Sequence, residues 1–134
     1  MAERFLGVAA VARLLDRDPS LIYRLRQDQR FPPHAVEIVE PKGARKGWRE
    51  ADVTAYQAGS AVSVPPVQQY YGVAKFAEVL GRSAARVWQY EQKDPAFPAP
   101  AVEIVERKGI RKGWREADVM AYLAHREQAA TAEP

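Results

Sequence analysis

Cysteine is absent from this chain of 134 residues, and only two histidines are present. Without cysteine the chain has no disulfides and no thiolate metal ligands, which fits a reducing compartment. His34 and His125 have no ligand partners at useful spacing, so we expect no metal site. No apolar run approaches the ~20 residues of a membrane span, and the amino terminus lacks a signal-peptide pattern. We therefore expect a cytoplasmic protein without membrane contact.

Recognisable catalytic patterns are missing as well. The sequence has no Ser-His-Asp arrangement, no paired carboxylates at catalytic spacing and no phosphate-binding glycine loop. It also divides into two small repeats, which leave little room for an enclosed active site. We expect no enzymatic activity, no cofactor and no small-molecule substrate.

A large excess of one charge is not found either, because 20 Lys and Arg against 17 Asp and Glu give a net charge of +3. Such a balance is weak evidence for a polyanionic partner, but the distribution of charge matters more than its sum. The cations cluster in two short segments, so each repeat has a positive end. These clusters are Lys42, Arg45, Lys46 and Arg49, and Arg107, Lys108, Arg111, Lys112 and Arg115.

What the chain does have is an internal repeat. Residues 35–56 and 101–122 are identical at 19 of 22 positions, whereas the preceding residues 7–28 and 72–93 agree at only 7 of 22. This pattern predicts a first domain over 1–58, a linker over 59–69 that is partly stiffened by Pro65 and Pro66, and a second domain over 70–130. A constant part and a variable part thus occur twice.

Each repeat begins with two predicted helices. Val8, Val11, Ala12 and Leu15 have the spacing of one helix face, as do Val73, Phe76, Ala77 and Leu80. Asp18 before Pro19, and Ser83 in the second repeat, are typical helix caps. They predict second helices over 19–27 and 84–92, with Ile22, Leu25, Val87 and Tyr90 facing inward. A tight turn between two short helices indicates a helix-turn-helix unit.

A β-hairpin and a third helix follow in each repeat. Val36 and Ile38 alternate with Glu37, which predicts a strand. Residues 42–47 supply the turn, and Trp48 begins the returning strand. Trp48 and its copy Trp114 are predicted to be core residues. A third helix is expected over 50–56, and its copy in the second repeat continues towards residue 130. The predicted fold class is α+β, mainly α with small β-hairpins.

These motifs, in this order, resemble the winged helix-turn-helix domains of the MerR and excisionase-like type, including AlpA-like phage and plasmid regulators. The first repeat carries GVAAVARLLDRDPSLIYRLRQ, FPP, the basic hairpin and GWREADVTAY; the second carries GVAKFAEVLGRSAARVWQY, AFPAP and GWREADVMAY. Two tandem copies depart from the family, whose members often carry one copy and pair as dimers. The chain also lacks the long dimerisation helix and the effector domain of full MerR regulators.

The resemblance implies that the second helix of each repeat lies in the major groove of double-stranded DNA and that the hairpin, or wing, touches the flanking backbone. Arg24 then suits guanine, Gln27 suits adenine, and Tyr23 or Ser20 suits phosphate. The alternative is an ordinary solvated helix face. The candidate recognition residues are Ser20, Tyr23, Arg24, Arg26, Gln27, Arg86, Trp88, Gln89 and Gln92.

The candidate wing residues are Lys42, Arg45, Lys46, Lys108, Arg111 and Lys112. They could merely be solubilising charges, but their intact duplication beside divergent helices favours phosphate contact. Glu91 replaces Arg26 in the second repeat, so its helix either reads a different sequence or grips DNA more weakly. The full basic set of the second wing favours the first option.

The leading hypothesis is a sequence-specific double-stranded DNA-binding protein, associated with the nucleoid. It would act as a small transcriptional regulator, such as a repressor, or as an excisionase-type recombination directionality factor. A linker that extends roughly 35–40 Å predicts an asymmetric or direct-repeat site. The alternative is a protein-interaction adaptor or a DNA-packaging component in which only part of the tandem contacts DNA. In either case the longer last helix offers a surface for self-association or for a recombinase or transcription partner.

Overall fold

The computed structural model describes residues 2–60 and 63–132; positions 1, 61, 62, 133 and 134, two of them in the expected linker, lie outside the described residues. The described residues form an α+β fold with six helices and two three-stranded sheets. The helices are α1 (Val8–Leu15), α2 (Pro19–Leu25), α3 (Glu50–Gln57), α4 (Val73–Leu80), α5 (Ala84–Lys93) and α6 (Glu116–Ala132). The strands are β1 (Glu3–Leu6), β2 (Val36–Glu40), β3 (Gly43–Gly47), β4 (Gln68–Tyr71), β5 (Val102–Glu106) and β6 (Gly109–Gly113).

The first helix of each repeat has the bounds that its apolar spacing predicts. Both caps of the second helices are confirmed. Asp18 Oδ1 accepts from the Ser20 N–H at 2.9 Å, and Ser83 Oγ accepts from the Arg86 N–H at 3.2 Å. These bonds satisfy N–H groups that the first turn of a helix leaves without partners.

The second helices differ in length from the prediction and from each other. α2 ends at Leu25, two residues early, whereas α5 continues to Lys93. Asp28 and Asp94 follow these helices and are equivalent positions of the two repeats. Each accepts a hydrogen bond from a tyrosine of the last helix of its repeat, Asp28 from Tyr56 at 3.2 Å and Asp94 from Tyr122 at 2.7 Å. The second repeat has one residue more before this point (94 − 72 = 22 against 28 − 7 = 21). The extra residue is accommodated in the longer α5.

The hairpins turn earlier than predicted. Glu40 pairs with Gly43, so Pro41 and Lys42 alone form the first turn, and the prediction of a turn over residues 42–47 is wrong. Gly43 has φ +138°, a conformation that residues with a side chain rarely adopt, and it lets the chain reverse at the first glycine. Trp48 likewise does not begin the returning strand but follows it.

The two repeats exchange strands. β1 of the first repeat pairs in parallel with β5 of the second, and β4 pairs in parallel with β2 of the first. The sheet orders are therefore β1-β5-β6 and β3-β2-β4. The sequence did not predict β1 or β4, and Gln68 and Gln69 of the expected linker lie in β4. Each sheet is complete only when both repeats are present.

Each exchanged strand returns to its own repeat where it ends. The backbones of Leu6 and Trp48 bond to each other at 2.7 and 2.8 Å, and those of Tyr71 and Trp114 do the same at the same distances. The next N–H groups bond across the repeats, from Gly7 to Val105 O at 2.8 Å and from Gly72 to Val39 O at 2.9 Å. Both ends of the interface therefore use equivalent bonds.

A central apolar core joins the two sheets. It contains Phe5, Ala35, Val36, Ile38, Tyr70, Val102 and Ile104, which come from both repeats. Glycine allows the close approach: a Cβ at residue 47 would lie 2.9 Å from Ile104 Cγ1, and a Cβ at residue 113 would lie 3.0 Å from Ile38 Cγ1. The equivalent hairpin strands of the two repeats therefore pack against each other across this core.

Two flanking cores hold the helices of each repeat. Their centres are Trp48 and Trp114, which are 1% and 0% exposed. The indole N–H groups donate to the carbonyl oxygens of Pro32 and Pro98, both at 3.0 Å. The prediction that both tryptophans are core residues is confirmed.

The longer last helix is also confirmed, since α6 continues to Ala132 whereas α3 ends at Gln57. None of the helices within residues 2–60 and 63–132 combines the length and apolar character needed to cross a membrane.

Candidate nucleic-acid interface

The exposed side of α2 carries three of the candidate residues of the first repeat. Ile22 is fully buried in the first flanking core, and Tyr23 and Arg24 are exposed on the other side. The Ser20 hydroxyl donates to Asp18 Oδ1 at 2.8 Å, so it takes part in the cap. This cap holds the pKa of Asp18 below its ordinary value, first through the Ser20 N–H and then through the hydroxyl.

Arg26 and Gln27 belong to the turn that follows α2 rather than to the helix itself, and both are exposed. The Arg26 guanidinium lies 5.9 Å from the centres of both the Tyr23 and the Trp48 ring. A cation at that distance from an aromatic face is attracted to it. Arg26 therefore extends the positive surface from α2 towards the first hairpin.

The exposed side of α5 presents a different set. Val87 is buried in the second flanking core, and Trp88 is 40% exposed. The Arg86 guanidinium donates to Gln89 Oε1 at 3.4 Å on the solvent side of the helix. Gln92, near the end of the helix, is exposed. The structure thus places Arg86, Trp88, Gln89 and Gln92 outside the core.

The hairpin cations lie in two places. Lys42 and Lys108 occupy the turns, and the other four candidates lie in β3 and β6. Successive strand residues point to opposite faces, so the adjacent residues Arg45 and Lys46 lie on opposite faces of the first hairpin. This arrangement differs from the single basic turn that the sequence predicted. The four strand cations are Arg45, Lys46, Arg111 and Lys112.

The hairpins of the two repeats lie side by side. Arg45 and Lys42 of the first hairpin line one cleft together with Arg111 of the second. Arg111 and Lys112 also line a second cleft, which reaches Trp88 on α5. Cations from both repeats therefore form one surface across the boundary between them. We call Lys42, Arg45, Lys108 and Arg111 the central cations.

The central cations form no described ion pair, although the charges of Arg111 and Arg45 do favour the ionised form of Glu40, which lines both clefts. They are exposed, and no carboxylate forms an ion pair with them within 4.0 Å in the part of the chain that the structure describes. Lys46 is half-buried and lies opposite Glu37 in the hairpin. The pKa of Glu37 is lowered chiefly by its hydrogen bond with His34, and the charge of Lys46 is the smallest cause.

Lys112 differs from its copy Lys46. Its Nζ lies 3.3 Å from Glu91 Oε2 and 3.4 Å from Oε1, and 5.7 Å from the centre of the Trp88 ring. The second hairpin therefore does not present its full basic set, and the full set no longer supports different sequence reading by α5 over a weaker grip on DNA. In the first repeat Arg26 stands at the position of Glu91.

Two glutamates, which no sequence motif singled out, help to place the hairpins. Glu40 lies against Gly72 at the start of α4, and Glu106 lies against Gly7 at the start of α1. Burial raises the pKa of Glu40, and the N–H groups of Ala74 and Lys75 and the guanidinium of Arg111 oppose this shift only in part. The glycines gave the only sequence signal, since each precedes a helix where a side chain would block the glutamate.

Arg107 is a further cation that was not among the candidates. It takes the place of Pro41 in the turn and lines the cleft beside Lys108. It is one of only three differences between the duplicated segments, which was the signal that could have singled it out.

No group of three or more metal-ligating side chains occurs within the described ranges. Comparison with family models, curated proteins and solved structures found no match.

Proposed function

We propose that the chain is a sequence-specific double-stranded DNA-binding protein built from two winged helix-turn-helix repeats. In this proposal α2 and α5 are the recognition helices, and the hairpins are the wings. Their exposed Arg, Gln and aromatic side chains suit base edges and phosphates. The observation that carries the proposal is the group of central cations, which come from both repeats and form no ion pair within 4.0 Å in the described residues.

A small regulator of transcription or of recombination fits this architecture, because each repeat has two short helices followed by a β-hairpin and a third helix. Such a protein has no catalytic role and is located at the nucleoid. The central cations would neutralise phosphates and release counterions, so affinity must depend strongly on salt.

The test is a titration of the full chain against double-stranded DNA at several salt concentrations, followed by fluorescence anisotropy. If six to ten phosphates are neutralised, the slope of log affinity against log salt should be about −5 to −9. The double substitution Arg45→Ala with Arg111→Ala should make the slope less negative by about 2. Arg13→Ala, which removes an exposed cation of α1, is the matched control. A slope near zero for the unmodified chain would contradict the proposal.

A protein-interaction adaptor is the second candidate, and two observations in the second repeat favour it. Lys112 is neutralised by Glu91, and Trp88 and Ile110 are large apolar side chains that are 40% and 44% exposed. Both line the cleft between α5 and the second hairpin. An adaptor would show no salt-dependent DNA binding in the same titration.

A further inference from the structure

The contacts between the repeats are reciprocal. β1 of the first repeat pairs with β5 of the second, and the equivalent β4 pairs with β2. Gly47 faces Ile104, and the equivalent Gly113 faces Ile38. Each contact in one direction thus has a counterpart in the other.

Reciprocity defines the symmetry. When two like units use the same patch on both sides, they are related by a two-fold axis, whereas head-to-tail units join two different patches and leave one of each unused. The exchanged strands, the facing glycines and the glutamates at Gly7 and Gly72 all follow the first rule. A single chain therefore has the approximate two-fold symmetry of a homodimer.

This symmetry limits the kinds of DNA that the chain fits. Recognition elements related by a two-fold axis meet equivalent groove surfaces on an inverted repeat, since duplex DNA has the same kind of axis across its length. A direct repeat would require the units to be related by a shift along the duplex. The shared core of Ile38 and Ile104 prevents that rearrangement, whatever the reach of the linker.

We propose that the chain reads an imperfect inverted repeat, one half-site by α2 and the other by α5; this inference rests on the proposed function. The half-sites are unequal because the helices differ. Arg24 of α2 is replaced by Gln89 in α5, and both are exposed. Arginine selects guanine and glutamine selects adenine in the major groove. Equivalent positions of the half-sites should therefore carry guanine and adenine.

The test begins by selecting bound duplexes from a random pool with the full chain. The selection is then repeated with Arg24→Gln and, separately, with Gln89→Arg. Each substitution exchanges one exposed side chain for the one that the other repeat carries, so the fold is retained. Each should change one base pair, with about 5- to 150-fold discrimination between the old and the new base. The positions of the two changed base pairs report how the helices are arranged.

Changed purines on opposite strands, at equal distances from the centre of the site, support the inference. Changed purines on the same strand would overturn it and leave the proposed function intact. If the unmodified chain selects no sequence at all, the inference and sequence-specific recognition both fail. If it also shows no salt-dependent binding to any duplex, DNA binding itself fails.

Discussion

Lys112 and Glu91 are joined by an ion pair, with Nζ 3.3 Å from Oε2, and their side chains are 33% and 22% exposed. At the equivalent positions the first repeat carries Lys46 and Arg26, which are both cationic. One repeat therefore adds a positive charge where the other cancels one. Under the proposed function the first repeat holds the phosphate backbone more strongly.

Glu91→Gln should raise the affinity for DNA, because Lys112 then becomes available to a phosphate. We expect about a 3- to 10-fold increase near physiological salt, and a slope of log affinity against log salt that is more negative by about 1. Anisotropy titrations at several salt concentrations measure both quantities. Glu78→Gln, which frees Lys75 on α4, is the control and should leave the slope unchanged. An unchanged slope for Glu91→Gln would show that Lys112 does not meet DNA.

Gly47→Ala should destabilise both repeats together. The added Cβ would lie 2.9 Å from Ile104 Cγ1 and from Val36 Cγ2, within the core that both repeats share. Overpacking of this kind costs about 1–3 kcal/mol of the free energy of unfolding. Urea denaturation measures this loss, and hydrogen exchange should show weaker protection in β5 as well as in β2. Ala44→Ile, which copies the exposed Ile110, should cost less than about 0.5 kcal/mol. Loss of protection in the first repeat alone would mean that the repeats fold independently.

The isolated first repeat, residues 1–60, should form a dimer. β2 and β5 share the sequence Val-Glu-Ile-Val-Glu, so β1 of one copy can pair with β2 of another as it pairs with β5 in the chain. Ile38 is buried in the full chain but would be exposed in the isolated repeat, and this exposed side chain and the unpaired strand edge favour association. Light scattering after gel filtration measures the mass of the fragment, and the full chain of 15.0 kDa, whose β1 already has β5 as a partner, is measured beside it for comparison. A folded fragment that stays monomeric at high concentration would contradict the prediction.

Asp94→Asn should lower the free energy of unfolding at neutral pH. It should also make that free energy fall less steeply as the pH is lowered. The bond from Tyr122, followed by the N–H of Ala96, holds the pKa of Asp94 below its ordinary value. A carboxyl group with a lowered pKa stabilises the fold above its unfolded pKa, and this contribution is lost as the pH falls through the folded value. The stabilisation by the Asp94 carboxylate is therefore lost below about pH 4. We expect Asp94→Asn to cost about 0.5–1.5 kcal/mol at pH 7.

Thermal melts between pH 2 and pH 7 measure this effect. The difference between Asp94→Asn and the unmodified chain should shrink as the pH falls below 4. Asp28→Asn is the matched variant in the first repeat, where the tyrosine bond is longer at 3.2 Å, and its effect should be smaller. A difference that stays constant across this range would exclude the carboxylate as its cause.

The sequence predicts the local elements well, because their signals are local. Apolar spacing gives the bounds of α1 and α4, and Asp18 and Ser83 cap the helices that follow. The exchange of strands has no such signal. β1 has four residues, and its first residue, Glu3, pairs with Val102, 99 positions away. The identical sequences of β2 and β5 also give no reason to prefer one partner over the other.

The site could be predicted only in part, for a related reason. The candidate side chains on α2 and α5 are exposed, as helix periodicity requires. The division of Arg45 and Lys46 between two faces depends on where the hairpin turns, and φ +138° at Gly43 decides that. The replacement of Arg26 by Glu91 was visible in the sequence. Its effect on Lys112 was not, because the two residues are 21 positions apart and meet only in the fold.

The exchanged strands also affect how the protein is made. A nascent chain usually folds domain by domain from its amino terminus, at about 5–20 residues per second. Here β1 must wait for β5, almost 100 residues later, which corresponds to roughly 5–20 s at that rate. During this interval neighbouring chains on one messenger RNA each expose the same unfinished edge. Slow ribosomes would therefore favour pairing between chains, and rapid completion would favour closure within one chain.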